Sequence, residues 1–320
     1  MNIRLSVLML LSTVLAGHAA LEGADCATCH PTEAGSHAKS AHASALMPTG
    51  ESVFAANLPD KPLAESANGF SFVYRRTFDG VEVTTQRGSD KATASMAWVF
   101  GSGRQGQTPV LDFNGTFVEH RVSYYITTGY GVTIGQESGE SANAQKALGW
   151  AQSMPEARKC FNCHSTSANK DLTSLTPGVQ CIRCHEGAEE HAGGHGLPVN
   201  PGKLDHVAQV RLCGECHRLK PPSGDEQNIG NVRFQPLRLM KSVCFRRGEI
   251  KCTTCHPAHR NVQRDAPAVY NAQCLNCHRD QSAHVIAQAK SNCIECHMPK
   301  VNPAPGLTFT DHFIRVVAQR

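Results

Sequence analysis

The pattern Cys-x-x-Cys-His occurs seven times in this 320-residue chain and uses 14 of its 15 cysteines. On one turn of helix, positions i, i+3 and i+4 share a face, so both thiols and the imidazole of each copy lie on the same side. This arrangement is typical of haem c attachment, in which two thioether bonds hold the porphyrin and the histidine binds the iron. The attaching thiols are Cys26, Cys29, Cys160, Cys163, Cys181, Cys184, Cys213, Cys216, Cys252, Cys255, Cys274, Cys277, Cys293 and Cys296. The proximal histidines are His30, His164, His185, His217, His256, His278 and His297.

Zinc binding or disulfide formation is the alternative use of these cysteines. Tetrahedral zinc sites usually combine two Cys-x-x-Cys halves, and they do not require a histidine directly after each second cysteine. Seven repeats of the full five-residue pattern therefore favour seven covalently bound haem c groups.

The first residues indicate export. Basic Arg4 precedes an apolar run from Leu5 to Ala16, and small residues near Ala19 suit cleavage, so residues 1–19 are predicted to form a signal peptide. No later stretch approaches the roughly 18 apolar residues of a membrane helix. We therefore expect a periplasmic or extracellular protein with no membrane span in the mature chain. Export agrees with the compartment in which c-type haem is attached.

The formal charge of +4 does not indicate a nucleic-acid partner. Removal of the signal peptide takes away Arg4, and ionised propionates on seven haems would make the mature protein negative. Net charge bears on association rather than on fold, and here it argues against nucleic acid.

The spacing of the motifs divides the chain into a sparse and a dense part. After the signal peptide we predict a single-haem segment over 20–67, a haem-free β-rich insert over 68–140, a six-haem domain over 141–300 and a C-terminal arm over 301–320. Six motifs within residues 160–297 leave about 23 residues per haem, too few for an ordinary apolar core. The predicted fold class is a multihaem cytochrome c, mostly short helices and loops wrapped round haems, with a small antiparallel β insert.

Local patterns predict several elements. Asp79-Gly80 and Asn114-Gly115 each separate two alternating segments and predict hairpins. The glycine-rich segment 101–106 is interpreted as a turn, because no βαβ unit surrounds it. Short helices are predicted over 141–153 and 279–290, and a strand or ordered arm over 309–315. The sheet is expected to serve packing, with a docking or assembly surface as the alternative.

The sixth ligand of each iron decides the chemistry, because two strong protein ligands leave no open position for a substrate. Nine histidines outside the motifs and the signal peptide suffice for seven irons: His37, His42, His120, His191, His195, His206, His259, His284 and His312. The distal ligands predicted among them are His42, His191, His206, His259, His284 and His312. Three of these follow a motif too closely to reach the far face of its own haem, and are expected to serve neighbouring irons: His191, His259 and His284.

Cys244 is the one cysteine outside the motifs. Its main interpretation is a buried inert thiol, with an intermolecular disulfide or a regulatory ligand as the alternative.

Several further segments carry a family resemblance. They are Ser40–Ala43, Trp98–Gly103, Ser123–Tyr125, Cys181–His185 with His191, Cys252–His259, Cys296–Lys300 and Asp311–Arg315. With the motifs, they make the chain similar to bacterial multihaem cytochromes c of the cytochrome c554-like, doubled Cys-x-x-Cys-His group. This resemblance implies an electron-transfer protein in which His42, His191, His259 and His312 are distal ligands. Residues 186–189 depart from the Gly-Pro-Gly that relatives often have there.

The predicted function is electron transfer through closely spaced, mainly bis-histidine haems. Expected partners are other cytochromes and quinol-linked or outer-membrane electron-transfer complexes. One alternative is a reductase or oxidase of small nitrogen or sulfur compounds, which needs an open haem and nearby acid–base groups. Another, compatible with the first, is a homo-oligomer that forms an extracellular cytochrome filament.

Overall fold

A computed structural model describes residues 24–65, 68–78, 80–137, 139–221, 224–225, 228–279 and 292–316. The predicted signal peptide lies outside these residues. The helices are α1 Ala24–Cys29, α2 Pro31–His37, α3 Val53–Ala56, α4 Ala144–Ala147, α5 Met154–His164, α6 Ala188–Ala192, α7 His206–His217, α8 Gln235–Leu239, α9 Val243–Gly248, α10 Cys252–Cys255, α11 Pro267–Leu275 and α12 Cys293–His297. Short 3-10 helices occupy Thr49–Glu51, Cys181–Arg183, Pro201–Lys203 and Ile229–Arg233.

The strands concentrate in the first half of the chain. They are β1 Leu46–Pro48, β2 Leu63–Glu65, β3 Phe70–Thr77, β4 Gly80–Arg87, β5 Asp90–Phe100, β6 Gly106–Phe113, β7 Thr116–His120, β8 Val122–Tyr125, β9 Gly129–Val132, β10 Gly149–Ala151, β11 Ser165–Ala168, β12 Leu175–Pro177, β13 Lys300–Ala304 and β14 Leu307–Thr310. Two small sheets, β11 with β12 and β13 with β14, lie outside the main one.

The main sheet has ten strands within the described residues, so the expectation of a small insert is wrong in size. Its order is β10-β7-β6-β5-β4-β3-β2, with β1 beside β5 and with β8 and β9 continuing from β6. Strand β1 pairs Leu46 with Phe100, and β10 pairs Gly149 with His120, so strands from outside residues 68–140 complete it. These two strands have three residues each, too few for an alternating pattern to be recognised in the sequence.

The hairpin predictions are confirmed. Asn114 and Gly115 both have positive φ, 51° and 77°, as a two-residue turn between twisted strands requires. Strand β4 begins at Gly80 and pairs along its whole length with β3. Segment 101–106 is a turn, as predicted, since it joins β5 to β6.

The helix predicted over 141–153 is correct only for α4. At Gly149 the backbone has φ +142°, and a Cβ there would lie 2.0 Å from the carbonyl oxygen of Glu119, so only glycine fits this approach. The chain therefore leaves the helix and joins the sheet as β10. The helix predicted over 279–290 lies, apart from its first residue, outside the described residues. The C-terminal tail is an ordered arm, as predicted, with β14 followed by irregular chain.

Buried apolar side chains are distributed unequally between the two halves of the chain. Eighteen of them lie among the described residues of 46–148, whereas the described part of 160–297 holds eight. The fully buried residues of the sheet core include Phe54, Phe72, Val83, Leu111 and Leu148. The chain in the motif-rich half thus supplies little apolar core of its own.

Helix α5 connects the sheet to the motifs. Phe161 on this helix packs against Phe100 and Phe117 of the sheet, with ring centres 5.1 and 5.8 Å apart. The second motif, at the end of α5, is therefore fixed on the sheet. Of the helices described, none has the length and apolar character needed to cross a membrane.

Candidate haem centres

Each motif folds as a tight turn or a helix end. Its histidine donates a backbone hydrogen bond to the first cysteine's carbonyl in four copies: His30 to Cys26 at 2.7 Å, His185 to Cys181 at 3.0 Å, His256 to Cys252 at 2.9 Å and His278 to Cys274 at 2.8 Å. This i to i+4 bond closes one helical turn. Both thiols and the imidazole of the motif are consequently presented on the same side, as thioether attachment and iron ligation require.

The zinc and disulfide alternatives gain no support from the described geometry. All fifteen cysteines lie within the described residues, and each is a free thiol. No group of three or more His, Cys, Asp or Glu side chains in the described part of the chain converges as metal ligands do. The thiols are instead distributed in pairs, as porphyrin attachment needs.

Four proximal histidines face a second histidine at one characteristic distance. Metal–imidazole bonds of about 2 Å on both sides of one metal place the two ring centres about 6 Å apart. The observed pairs are His30 with His191 at 6.4 Å, His185 with His259 at 6.0 Å, His217 with His42 at 6.1 Å, and His256 with His312 at 6.0 Å. The structure therefore brings four of the six sequence-predicted distal residues opposite a motif histidine.

Backbone carbonyls orient several of these rings. The Nδ1 atoms of His185, His191 and His312 each lie 3.0 Å from a carbonyl oxygen, of Val199, Gly196 and Thr310 respectively. A hydrogen bond from Nδ1 to a carbonyl fixes the tautomer and leaves Nε2 free to bind a metal. His164 and His297 have the same arrangement, with Ala45 at 2.8 Å and Arg315 at 2.9 Å.

Burial favours the neutral form of three of these imidazoles. It lowers the pKa of His217 and His256, and it lowers the pKa of His312 to about 4. A histidine must be neutral to bind a metal. Two thiols on one turn and a neutral imidazole beside them, with a second imidazole opposite in four copies, fit haem c.

The remaining candidate histidines have other surroundings. His206 lies edge-on against the ring of Phe245 at 4.9 Å. His284 lies outside the described residues, and His195 is exposed. His37, one of the nine candidates but not one of the six predicted distal ligands, is buried beside His259, with ring centres 6.3 Å apart. Its helical spacing from the first motif was the only signal available.

His120 is a structural residue of the sheet. Its Nδ1 lies 2.7 Å from the Leu148 carbonyl oxygen, and its Nε2 accepts a hydrogen bond from the Tyr74 hydroxyl at 3.0 Å. Both ring nitrogens are therefore in use, and the side chain is fully buried. This histidine holds β10 and β3 against β7 rather than a metal.

Acidification is expected to destabilise the sheet through His120. Burial lowers the pKa of His120 to about 4, from a value near 6.5 in the unfolded chain. The contribution of His120 to the free energy of unfolding is therefore complete above about pH 6.5. It declines by about 3 kcal/mol in total as the pH falls toward 4. Amide hydrogen exchange of β7 measures this local stability. His120→Gln should make the stability of β7 less dependent on pH. Parallel curves of stability against pH for the variant and the unmodified protein would contradict this prediction.

Thiols of different motifs lie next to one another. In four pairs, a thiol of one motif lies close enough to shift the pKa of a thiol of another: Cys26 with Cys181, Cys163 with Cys216, Cys213 with Cys252, and Cys293 with Cys274. Contact with Cys216 lowers the pKa of Cys163 to about 6. The attachment sites of neighbouring motifs are thus adjacent rather than isolated.

Helix contacts support the same adjacency. The Arg183 guanidinium in the third motif lies 3.7 Å from the carboxylate of Glu215 in the fourth. Gln209 on α7 donates to the Thr253 hydroxyl of the fifth motif at 2.9 Å and accepts from the Thr253 amide at 3.0 Å and hydroxyl at 3.2 Å. The Cys293 amide of the seventh motif donates to Asn271 on α11 at 3.1 Å. These contacts fix the motifs relative to one another.

Cys244 is half-buried on α9, not buried as predicted. It lies close enough to Cys274 to raise the pKa of that thiol, after the larger effects of burial and of Cys293 and Cys255. The expectation of burial is wrong because α9 is a short helix with one side open to solvent.

Comparisons with known proteins agree with this geometry. The sequence model of the family described as cytochrome c554 and c-prime matches residues 131–186, which contain the second and third motifs. A similar solved structure is that of the outer cell wall cytochrome OcwA, with a TM-score of 0.51 and 12% identity over 92% of this chain and 79% of that chain. At this identity the likeness concerns the fold.

The motifs and the two comparisons make the chain similar to c-type cytochromes. The resemblance to the cytochrome c554 type, first seen in short sequence segments, is confirmed by the family match over residues 131–186. The fold likeness to an outer cell wall cytochrome covers 92% of this chain.

Proposed function

We propose that this chain carries seven covalently attached haems c and passes electrons among them through mainly bis-histidine sites. Bound haem c supplies one-electron iron chemistry, with a potential set by axial ligands, burial and hydrogen bonding. The chain's own residues would attach the group, supply two imidazole ligands at most sites and hold neighbouring sites close together.

The observation that carries this proposal is the set of four imidazole pairs at 6.0–6.4 Å. Two imidazoles at this distance would hold one iron between them, which favours electron exchange over substrate binding. The enzyme alternative requires an open position, and the four paired sites do not offer one.

The adjacency of the thiols supports an order for the sites. The first motif adjoins the third through Cys26 and Cys181, and the fourth adjoins the fifth through Cys213 and Cys252. Cys184 of the third motif is electrostatically coupled to both thiols of the fourth. We infer a path from the first motif through the third and fourth to the fifth.

The remaining sites extend this path. The second motif adjoins the fourth through Cys163 and Cys216, which makes the fourth a branch point. Cys274 of the sixth motif lies close enough to Cys255 of the fifth and Cys293 of the seventh for both to raise its pKa. The path therefore continues from the fifth through the sixth to the seventh.

The ends of the path are the proposed points of electron entry and exit. Cys29 and His30 of the first motif are exposed, as is Cys296 of the seventh. The proposed partners are other cytochromes and quinol-linked or outer-membrane complexes. Electron transfer to such proteins needs sites that are exposed at the surface. The proposed location is the periplasm or the cell surface. A filament formed end to end would use the same two ends.

Protein-film voltammetry of the mature protein tests this function. We expect reversible reduction with a total of seven electrons per chain and no catalytic current with nitrite or hydroxylamine. A catalytic current abolished by a strong haem ligand would establish the reductase alternative instead. A charge well below seven electrons would contradict the proposed haem count.

A further inference from the structure

The described end of the C-terminal arm, residues 307–316, lies against two motifs at once. His312 on the arm faces His256 of the fifth motif, with ring centres 6.0 Å apart. The carbonyl oxygen of Arg315 lies 2.9 Å from Nδ1 of His297 in the seventh motif. The arm also returns a hydrogen bond from the Arg315 amide to the His297 carbonyl at 3.2 Å. Its placement therefore bears on both sites.

One buried carboxylate holds the arm. The Asp311 side chain is 2% exposed, and Arg238 of α8 donates to its two oxygens through Nε at 2.8 Å and Nη2 at 2.7 Å. Arg315 donates to Oδ2 through Nη1 at 2.7 Å. Bonds between charged groups in such a fork are strong and geometrically specific. Asp311 thus links the arm to α8 and to Arg315, which follows it on the same arm.

The backbone around His312 is fixed on both sides of the histidine. The Asp311 amide donates to the Pro299 carbonyl, and the Phe313 amide donates to Asp311 Oδ1, each at 3.0 Å. The Ser242 hydroxyl donates to the His312 carbonyl at 3.2 Å and accepts from the Ile314 amide at 2.8 Å. His312 has little freedom to move relative to α8 and α9 while these bonds hold.

We propose that Asp311 is a positioning residue for two haem sites. It places His312 as the distal ligand of the fifth site and, through Arg315, places the carbonyl that orients His297 in the seventh. The proposal rests on the proposed function, because it needs His312 to act as a ligand. Asp311 itself faces arginines, not His256, so it acts through the arm.

The variant Asp311→Asn tests the proposal, because asparagine keeps the shape and removes the charge. We expect low-temperature EPR of the oxidised protein to show one high-spin haem of seven, at the fifth site, while the haem count stays at seven. Added imidazole should return that haem to the low-spin form. His312→Ala should give the same signal, and the double variant should add no second high-spin haem at that site.

Two further variants complete the design. Glu82→Gln breaks an exposed ion pair with Arg75 on the sheet and should leave the spectrum unchanged. If Asp311→Asn does not accumulate, Arg238→Lys, which keeps the charge and loses the fork, should give a partial high-spin signal. A low-spin spectrum identical to that of the unmodified protein, in either variant with seven haems, would overturn the positioning role. Unmodified protein that lacks seven haems, or in which His312→Ala changes no spin state, would instead refute the proposed function.

Discussion

Alanine at position 42 is expected to convert one of the seven haems from low-spin to high-spin and to slow electron passage about tenfold or more. His42 faces His217 of the fourth motif at 6.1 Å, and its Nδ1 lies 3.4 Å from the Ala258 carbonyl oxygen. The fourth site adjoins the second, third and fifth, so a change in its ligation affects every route through the molecule. Low-temperature EPR measures the spin state, and stopped-flow reduction measures the rate.

His195→Ala is the matched control for this variant. His195 is exposed, lies near other histidines in sequence and faces no motif histidine among the described ring pairs. We expect its spectrum and reduction kinetics to equal those of the unmodified protein. An all-low-spin spectrum for His42→Ala, with seven haems still attached, would show that another residue ligates the fourth site.

Protein made without haem attachment is expected to keep its sheet, with α5 packed on it, and to lose order over residues 181–297. The sheet has its own apolar core, and each large side chain buried there contributes about 1.5–3 kcal/mol. The motif-rich half buries few apolar side chains, and most of its motif thiols and imidazoles need a bound group to organise them. Hydrogen exchange followed by mass spectrometry should show protection in β3–β7 and little in α6–α12.

A variant of the sheet provides the opposite control. Leu111 is fully buried in that core, and Leu111→Ala should destabilise the sheet by about 2–5 kcal/mol while the holoprotein retains seven haems. Equal protection of both halves in the haem-free protein would contradict the view that haem organises the second half.

The sequence indicates the candidate haem attachment sites directly, because each is a local pattern within one helical turn. It also pointed to His42, His191, His259 and His312, through their placement in the chain and through resemblance to a family. Their partners are far away in the chain, and no spacing rule reveals that His42 faces His217. Pairing depends on how helices from different segments pack, which a single sequence does not display.

The size of the sheet was missed for a different physical reason. Strands β1 and β10 are three residues long and become strands by pairing with β5 and β7. Propensity within three residues is weak compared with the hydrogen bonds and burial gained at a sheet edge. The role of His120 was missed for a related reason. Its strand was predictable from the sequence, but its hydrogen bond to Tyr74 depends on the order of the strands in the sheet.

Intact mass spectrometry combined with a pyridine haemochrome assay tests the central claim most directly. The account predicts a mature chain whose mass exceeds that of the polypeptide by seven haems, with an absorbance that gives the same number. A colourless protein, or one that holds zinc at these thiols, would contradict it.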